Sequence, residues 1–266
     1  MTSLTAFSQS NPATTCQQPN GLFNKVAKVT LLFWLLKIVA TTLGETLGDF
    51  IAQTLNLGYL TGIAITGLGF IVVLAVQLGL KKFVPVVFWL VIIGTTTLGT
   101  EISDAIDRTF HLGYTGGSLV LFSGLLVTLV LWYKKYHSLE VYPIFERGKE
   151  LYYWVAILFS NSLGTAFGDF LGDQLDLSYL QGSMITGGII LLVVLLHYFS
   201  KINHVLLFWI AFIFTRPFGA TFGDFLTKPM AKGGLDLGTL NASLVAIAVM
   251  AVLIALSHLQ HKRQIT

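Results

Sequence analysis

The sequence predicts an all-α, polytopic membrane protein: eight transmembrane helices in four parallel two-helix repeats, forming two similar halves. Three observations carry that prediction. First, 54% of the 266 residues are hydrophobic and only 11% are charged, less than half the roughly 25% charged content of a soluble domain. Second, eight apolar stretches fall at 25–53, 60–80, 82–107, 115–133, 149–173, 180–199, 202–227 and 237–257. Each is near the ~20 residues that a helix needs to cross the hydrocarbon of a bilayer. Third, one segment recurs four times with the same Trp-to-Asp spacing: Trp34/Asp49, Trp89/Asp104, Trp154/Asp169 and Trp209/Asp224. A fixed period of this kind is the signature of a repeat architecture.

Residues 1–24 form a polar tail rich in Ser, Thr, Gln and Asn. No basic stretch followed by an apolar core is present there, so the tail does not read as a cleaved signal peptide. Disorder is expected instead. Cys16, the only cysteine, lies in this tail, which excludes a disulfide framework or thiolate metal site within one chain. The odd-numbered spans carry the repeated segment: FWLLKIVATTLGETLGDF at 33–50, FWLVIIGTTTLGTEISDA at 88–105, YWVAILFSNSLGTAFGDF at 153–170 and FWIAFIFTRPFGATFGDF at 208–225. The even spans are plainer. Within each repeat a short connector joins the two, as in Leu57–Gly58–Tyr59, Leu112–Gly113–Tyr114, Leu177–Ser178–Tyr179 and Leu237–Gly238–Thr239. Gly, Asn and Asp around these mark turns. Repeat four has about five additional residues, at 228–233, before its connector.

The tryptophans are 55, 65 and 55 residues apart. This spacing divides the chain into a first half at 25–136, a connector at 137–148, a second half at 149–258 and a C-terminal tail at 259–266. Lys25, Lys28, Lys81, Lys82, Lys134, Lys135, Arg147, Lys149, Lys201, Lys262 and Arg263 all fall at one set of helix ends, against Arg108, Lys228 and Lys232 at the other. The positive-inside rule then puts both termini and the connector in the cytoplasm. Every odd helix runs outward with its acidic residues toward the external side. Two helices per repeat is an even number, so the repeats share one topology, unlike the inverted repeats of many transporters.

A helix turns about 100° per residue, which sets Lys37, Thr41, Gly44, Glu45, Gly48 and Asp49 on one face of the first helix. That face is expected to point into the bundle, because a carboxylate facing lipid at mid-depth costs at least ~2.5–3.5 kcal/mol. Gly44/Gly48, Gly164/Gly168 and Gly219/Gly223 are small-xxx-small pairs, with Gly99/Ser103 as the fourth. Such pairs allow close backbone approach between helices in lipid, and helix packing is the role expected of them. Asp49, Asp104, Asp169 and Asp224 are equivalent positions. Glu45 and Glu101 lie about one turn deeper, and Thr41, Thr97, Asn161 and Thr165 continue the polar line. Repeat four instead carries Arg216–Pro217, a cation and an expected kink.

These residues make the candidate substrate- or cation-binding set: Glu45, Asp49, Glu101, Asp104, Asp169, Asp224, Arg216, Thr41, Thr97, Asn161 and Thr165. Glu45, Asp49, Glu101 and Asp104 are the candidate metal ligands. The inner-face charges are six negative (Glu45, Asp49, Glu101, Asp104, Asp169, Asp224) and two positive (Lys37, Arg216). An excess of that size requires protonated acids, water or a bound cation. No histidine falls on the acidic faces, so an all-oxygen site favours a hard cation such as Mg²⁺, Mn²⁺, Ca²⁺ or Na⁺ over a soft metal. No other cofactor is expected. Lys37 is expected to snorkel toward the cytoplasmic side, and the aligned tryptophans to serve as core or interface anchors.

The fourfold Trp…Gly-x-x-x-Gly-Asp pattern, with two helices per repeat, resembles a group of bacterial membrane proteins built from four tandem repeats of unknown function. The resemblance spans about 25–257 and departs at Ser103 and at the Tyr-less fourth connector. It implies a bacterial inner-membrane protein and brings no substrate or site residues with it.

The leading functional reading is a transporter of a cation, or of a solute coupled to a cation or proton. Its partners are the lipid bilayer and a small cation or solute, with no nucleic acid. A second reading is a non-transporting membrane module, either an assembly partner or a sensor. A third is an intramembrane metal-dependent enzyme using Asp169 and Asp173. The sequence has no His-Glu-x-x-His, nucleophile elbow or phosphate-cradling loop, so a non-enzyme is expected.

Overall fold

The computed structural model describes residues 25–175 and 177–263. The polar tail at 1–24, with Cys16 and its expected disorder, lies outside the described residues. Among those described, the structure is helical, with α1 (Leu31–Asp49), α2 (Tyr59–Gly79), α3 (Pro85–Asp104), α4 (Gly113–Tyr136), α5 (Arg147–Asp169), α6 (Tyr179–Phe199), α7 (His204–Thr227) and α8 (Thr239–Arg263). All eight are long and apolar enough to cross a membrane. The last helix continues beyond residue 258, where the sequence places a tail. Its final turn is polar and carries no helix breaker.

The four odd helices form a closed ring, α1–α3–α5–α7 and back to α1. The four even helices lie outside it. Each packs chiefly not on its own repeat but on the first helix of the next: α2 on α3, α4 on α5, α6 on α7, with α8 closing onto α1. The ring helices are 61–67% buried and the outer ones 11–28%, which matches their sequences. The outer helices are uniformly apolar and suited to lipid, whereas the ring helices carry the polar face.

Glycine sets the ring's closeness. A Cβ added at Gly44 would lie 2.3 Å from Thr96 Oγ1, at Gly99 3.1 Å from the Ser162 backbone nitrogen, at Gly164 2.5 Å from Arg216 Cβ and at Gly219 2.3 Å from Thr41 Oγ1. Thus one glycine of each repeat seats on the neighbouring helix around all four seams. One turn further on, a Cβ added at Gly48, Gly168 or Gly223 would lie 3.0–3.1 Å from Thr100, Ala220 or Glu45. Helix α7 continues through Pro217 without a break. Pro217 Cδ is part of the surface that meets Gly164.

Just past the repeated aspartates the helices widen into single π-turns, at Phe50–Thr54, Ala105–Thr109 and Phe170–Gln174. Helix α7 has no such turn. It ends at Thr227, and Lys228 leaves it in an extended conformation with ψ 156°. The connectors then turn through left-handed residues, Asn56, His111 and Asp236, each followed two residues later by a glycine at φ 67–74°. In repeat three Ser178 takes the glycine's place at φ −63° and caps α6 reciprocally with Gln181.

The opposite end, which holds the described N-terminal segment, is closed by aromatic residues. Phe33 meets Trp89 at 5.5 Å, and Phe88 meets Trp154 at 5.4 Å. Residues 25–30, which the sequence assigns to the first span, are not helical. They cross this end, with the Lys25 N–H donating to Ile144 O at 3.0 Å. The Lys25 ammonium is buried and paired with Glu150, to which Gln77 Nε2 also donates at 2.9 Å.

Candidate functional site

Because the ring helices present one residue per turn inward, their polar residues stack in layers. The deepest is Lys37, with Ile92, Ile157 and Phe212 as its equivalents. Lys37 does not snorkel. It is fully buried, donates to Asn161 Oδ1 at 2.9 Å and lies 4.0 Å above the Phe212 ring. The cation–π contact and the Asn161 bond supply the ammonium with partners where it stands. Asn161 in turn donates to Thr95 Oγ1 at 3.0 Å.

The next layer holds Arg216 and Glu45. Arg216 is fully buried, and its Nη2 lies 2.8 Å from Glu45 Oε2. The same nitrogen donates to Thr100 Oγ1, and Thr100 reaches Glu45 at 3.4 Å. The cation of repeat four therefore pairs with the glutamate of repeat one, not with a repeated aspartate.

Above this layer a cavity of about 310 Å³ opens at the acidic end. Glu45, Asp49, Asp169 and Asp224 line it with Arg108, Lys228, Gln53, Tyr179, Gly168 and Gly172. Asp104 stands behind Arg108. The four repeated aspartates thus converge, and two cations bridge them. Arg108 lies 3.6 Å from Asp104 and 3.6 Å from Asp169, and donates to the Tyr59 hydroxyl at 2.8 Å. Lys228 lies 2.7 Å from Asp49 and 3.3 Å from Asp224. Burial acts to lower the Lys228 ammonium, but the carboxylates of Asp224 and Asp49 outweigh it and hold the group above the usual lysine range. Gln53 Nε2 donates to the other oxygen of Asp49 at 2.5 Å.

Oxygens of Glu45, Asp49 and Asp224 come within 4.8 Å of one another. This trio, from α1 and α7, is the group that offers ligands to a hard cation. Of the four metal candidates read from the sequence, Glu45 and Asp49 belong to it. Asp104 is on the Arg108 side. Glu101 points away from the ring, against Gly62 and Thr66 of α2. The hydroxyls of Thr41, Thr97 and Thr165 bond to carbonyls of their own helices, at 2.8, 3.0 and 3.3 Å, Thr41 also reaches Thr215 O of α7 at 3.2 Å, and none lines the cavity.

Arg108 and Lys228 are the site residues that sequence reasoning missed, because it placed them at the external helix ends and left them out of the inner-face charges. A signal was present: each lies four residues after a repeated aspartate, one helical turn on. Their inclusion changes the charge count. In the outer layer four aspartates face two cations, an excess of two negative charges, and Glu45 is neutralised by Arg216. With Lys37 included, the inward-facing charges among the described residues are five carboxylates against four cations, not six against two.

The ion pairs between residues distant in the chain share one further property. Lys25–Glu150, Arg108–Asp169, Arg216–Glu45 and Lys228–Asp49 each join the first half of the chain to the second. No interhelical ion pair among the described residues joins two helices of one half.

The profile of a family described as Repeat of Unknown Function (DUF347) matches the chain four times, at residues 32–83, 87–137, 152–203 and 207–263. Comparison with curated proteins and with solved structures found no match. Each of the four matched segments holds one ring helix and the outer helix that follows it, and the chain belongs to this DUF347 repeat family of unknown function.

Proposed function

We propose that this protein is a membrane carrier for a small, hard cation, bound at the acidic end of the ring by Glu45, Asp49 and Asp224. The single observation behind this reading is the gathering of those three carboxylates within 4.8 Å beside a cavity of about 310 Å³. The excess of two negative charges in the outer layer fits a divalent ion. Lys228 acts as a resident counter-ion that the incoming cation displaces from Asp49 and Asp224. Below the site, the Arg216–Glu45 pair and the aromatic layer form the closed gate. Because the interhelical ion pairs cross between halves, rocking of one half against the other exchanges those pairs and alternates access. The bacterial inner membrane is the location implied, with the acidic end external, since the basic residues concentrate at the other end.

The test uses purified protein in proteoliposomes loaded with a manganese-sensitive dye. Wild type is expected to carry Mn²⁺ across the bilayer, and the Asp49→Asn, Asp224→Asn double variant is expected to lose both flux and Mn²⁺ binding. Wild-type protein that neither binds nor carries Mn²⁺, Mg²⁺, Ca²⁺ or Na⁺ refutes the reading. A partner protein that co-purifies without any flux would favour the non-transporting module.

A further inference from the structure

Glu101 occupies a place on α3 that faces the outer helices. Its counterparts on the other ring helices are Thr46, Ala166 and Thr221. Thr46 meets Ser243 of α8 at 2.8 Å, and Thr221 meets Ser183 of α6 at 3.1 Å. Two hydroxyls therefore join ring to outer helix at this level in repeats one and four. In repeat two a carboxyl stands there instead, fully buried. Helix α2 makes room for it: a Cβ at Gly62 would lie 2.6 Å from Glu101 Oε1.

Among the described residues the surroundings contain no counter-charge. Helix α2 carries no Asp, Glu, Lys, Arg or His, and its one titratable side chain, Tyr59, is bonded to Arg108. On α3 the next carboxyl along the chain, Asp104, lies beside Arg108. Glu101 has no ion pair among the described residues, and its Oε1 has no hydrogen-bond partner. Its polar contact is with Thr66, whose hydroxyl bonds to Glu101 Oε2 and also lies 2.9 Å from the Gly62 carbonyl.

Counting protons separates the two states of this group. A threonine hydroxyl has one proton to donate and two lone pairs to accept with. An ionised Glu101 can only accept. Thr66 then serves either Glu101 or Gly62, and the other oxygen–oxygen contact has no proton in it. A protonated Glu101 donates to Thr66, and Thr66 donates to Gly62, so both contacts are hydrogen bonds. The absence of any cation disfavours the charged form in the same sense.

We propose that Glu101 is a proton-binding site in the seam between α3 and α2, distinct from the cation cavity and holding one proton when α2 is docked. Loss of that proton leaves a bare carboxylate in a seam with no cation, so deprotonation is tied to movement of α2 or entry of water.

The experiment is infrared spectroscopy of the full chain in lipid nanodiscs at neutral pH, wild type against Glu101→Gln. A protonated-carboxyl C=O band in wild type that is missing from the variant is expected. A difference confined to carboxylate bands overturns the proposal. Labelling of wild type with dicyclohexylcarbodiimide provides a second reading that needs no variant. The acid O–H adds across a C=N bond, the proton passes to nitrogen, and the O-acylurea rearranges to an N-acylurea that keeps the whole reagent. The Glu101 peptide is expected to gain that mass at neutral pH, where an ordinary exposed carboxyl is ionised and does not react. A Glu101 peptide that stays unlabelled overturns the proposal. Asp49→Asn with Asp224→Asn leaves both readouts unchanged, so failure of the cation reading and failure of this one are distinguishable.

Discussion

Replacing Arg216 by Met tests whether the pair beneath the cavity is a working element of the fold. The substitution keeps the bulk of the side chain but removes the guanidinium that holds Glu45 at 2.8 Å. Breaking a buried pair from one side costs about 3–5 kcal/mol, because the remaining charge is left without a partner. The surroundings favour the upper part of that range. Glu45 has oxygens within 4.8 Å of those of Asp49 and Asp224. At an effective dielectric of about 20, like charges at that separation repel by about 3 kcal/mol per pair, and Arg216 offsets this in the wild type. Adding Glu45→Gln to Arg216→Met removes the orphaned charge, so the double variant should be more stable than Arg216→Met alone by about 2–3 kcal/mol. The assay is equilibrium unfolding in mixed micelles with a chelator present, followed by tryptophan fluorescence. The four tryptophans of the ring helices are all buried or half-buried. If the two single losses add to the double within about 0.5 kcal/mol, the residues are uncoupled and the reasoning is wrong.

In the same unfolding assay, Gly44→Ala should cost about 1–3 kcal/mol, since its Cβ would stand 2.3 Å from Thr96 Oγ1. Gly188→Ala, with nothing within 4 Å, should be neutral or gain up to about 1 kcal/mol from helix propensity. Lys228→Met should raise Mn²⁺ affinity by about tenfold, or ~1.4 kcal/mol, measured by titration calorimetry, because the resident competitor is gone; unchanged or weaker binding would remove Lys228 from that role. The wild-type ammonium is held above its ordinary range by Asp224 and Asp49 against the effect of burial. It therefore stays charged until pH exceeds about 10, and titration of Lys228 should contribute no affinity change between about pH 6 and about pH 9. Arg108→Gln with Lys228→Gln removes both clamps across the halves, and should speed amide exchange in the π-turns Phe50–Thr54 and Phe170–Gln174 more than in the aromatic end; equal protection in variant and wild type would contradict it.

The repeat, the eight spans and the inward face of the ring helices were legible in the sequence, because each is written in a period. The periodicity left open whether the four aspartates meet around one cavity or separate, and only the closure of the ring brings them together. Other features depend on contacts distant in sequence. Glu101 and Glu45 look alike in the one-dimensional pattern, but Glu101 aligns with Thr46, one residue beyond Glu45. One residue is about 100° of rotation, enough to move a side chain from the ring's interior to its outer seam. Lys37 has the form of a snorkelling lysine until Asn161, 124 positions away, supplies its acceptor. Nor does any local signal say that an outer helix will pack on the next repeat rather than its own. That choice belongs to ring closure.

The ring itself has nearly fourfold repetition, but its charges follow the two halves. The position one turn beyond the repeated aspartates reads Gln53, Arg108, Asp173, Lys228, with cations only in the second repeat of each half. Each cation reaches back to its own aspartate and forward to that of the next repeat: Arg108 from Asp104 to Asp169, Lys228 from Asp224 to Asp49. The forward step crosses from one half to the other in both cases. Glycine contacts, by contrast, occur on all four seams and do not distinguish between them. Close backbone contacts form a stiff, densely packed surface, whereas an ion pair beside a cavity lined by charged side chains can exchange partners with a bound cation at modest cost. Repetition therefore supplies the scaffold, and alternation of the cations singles out two of its four seams, those between the halves.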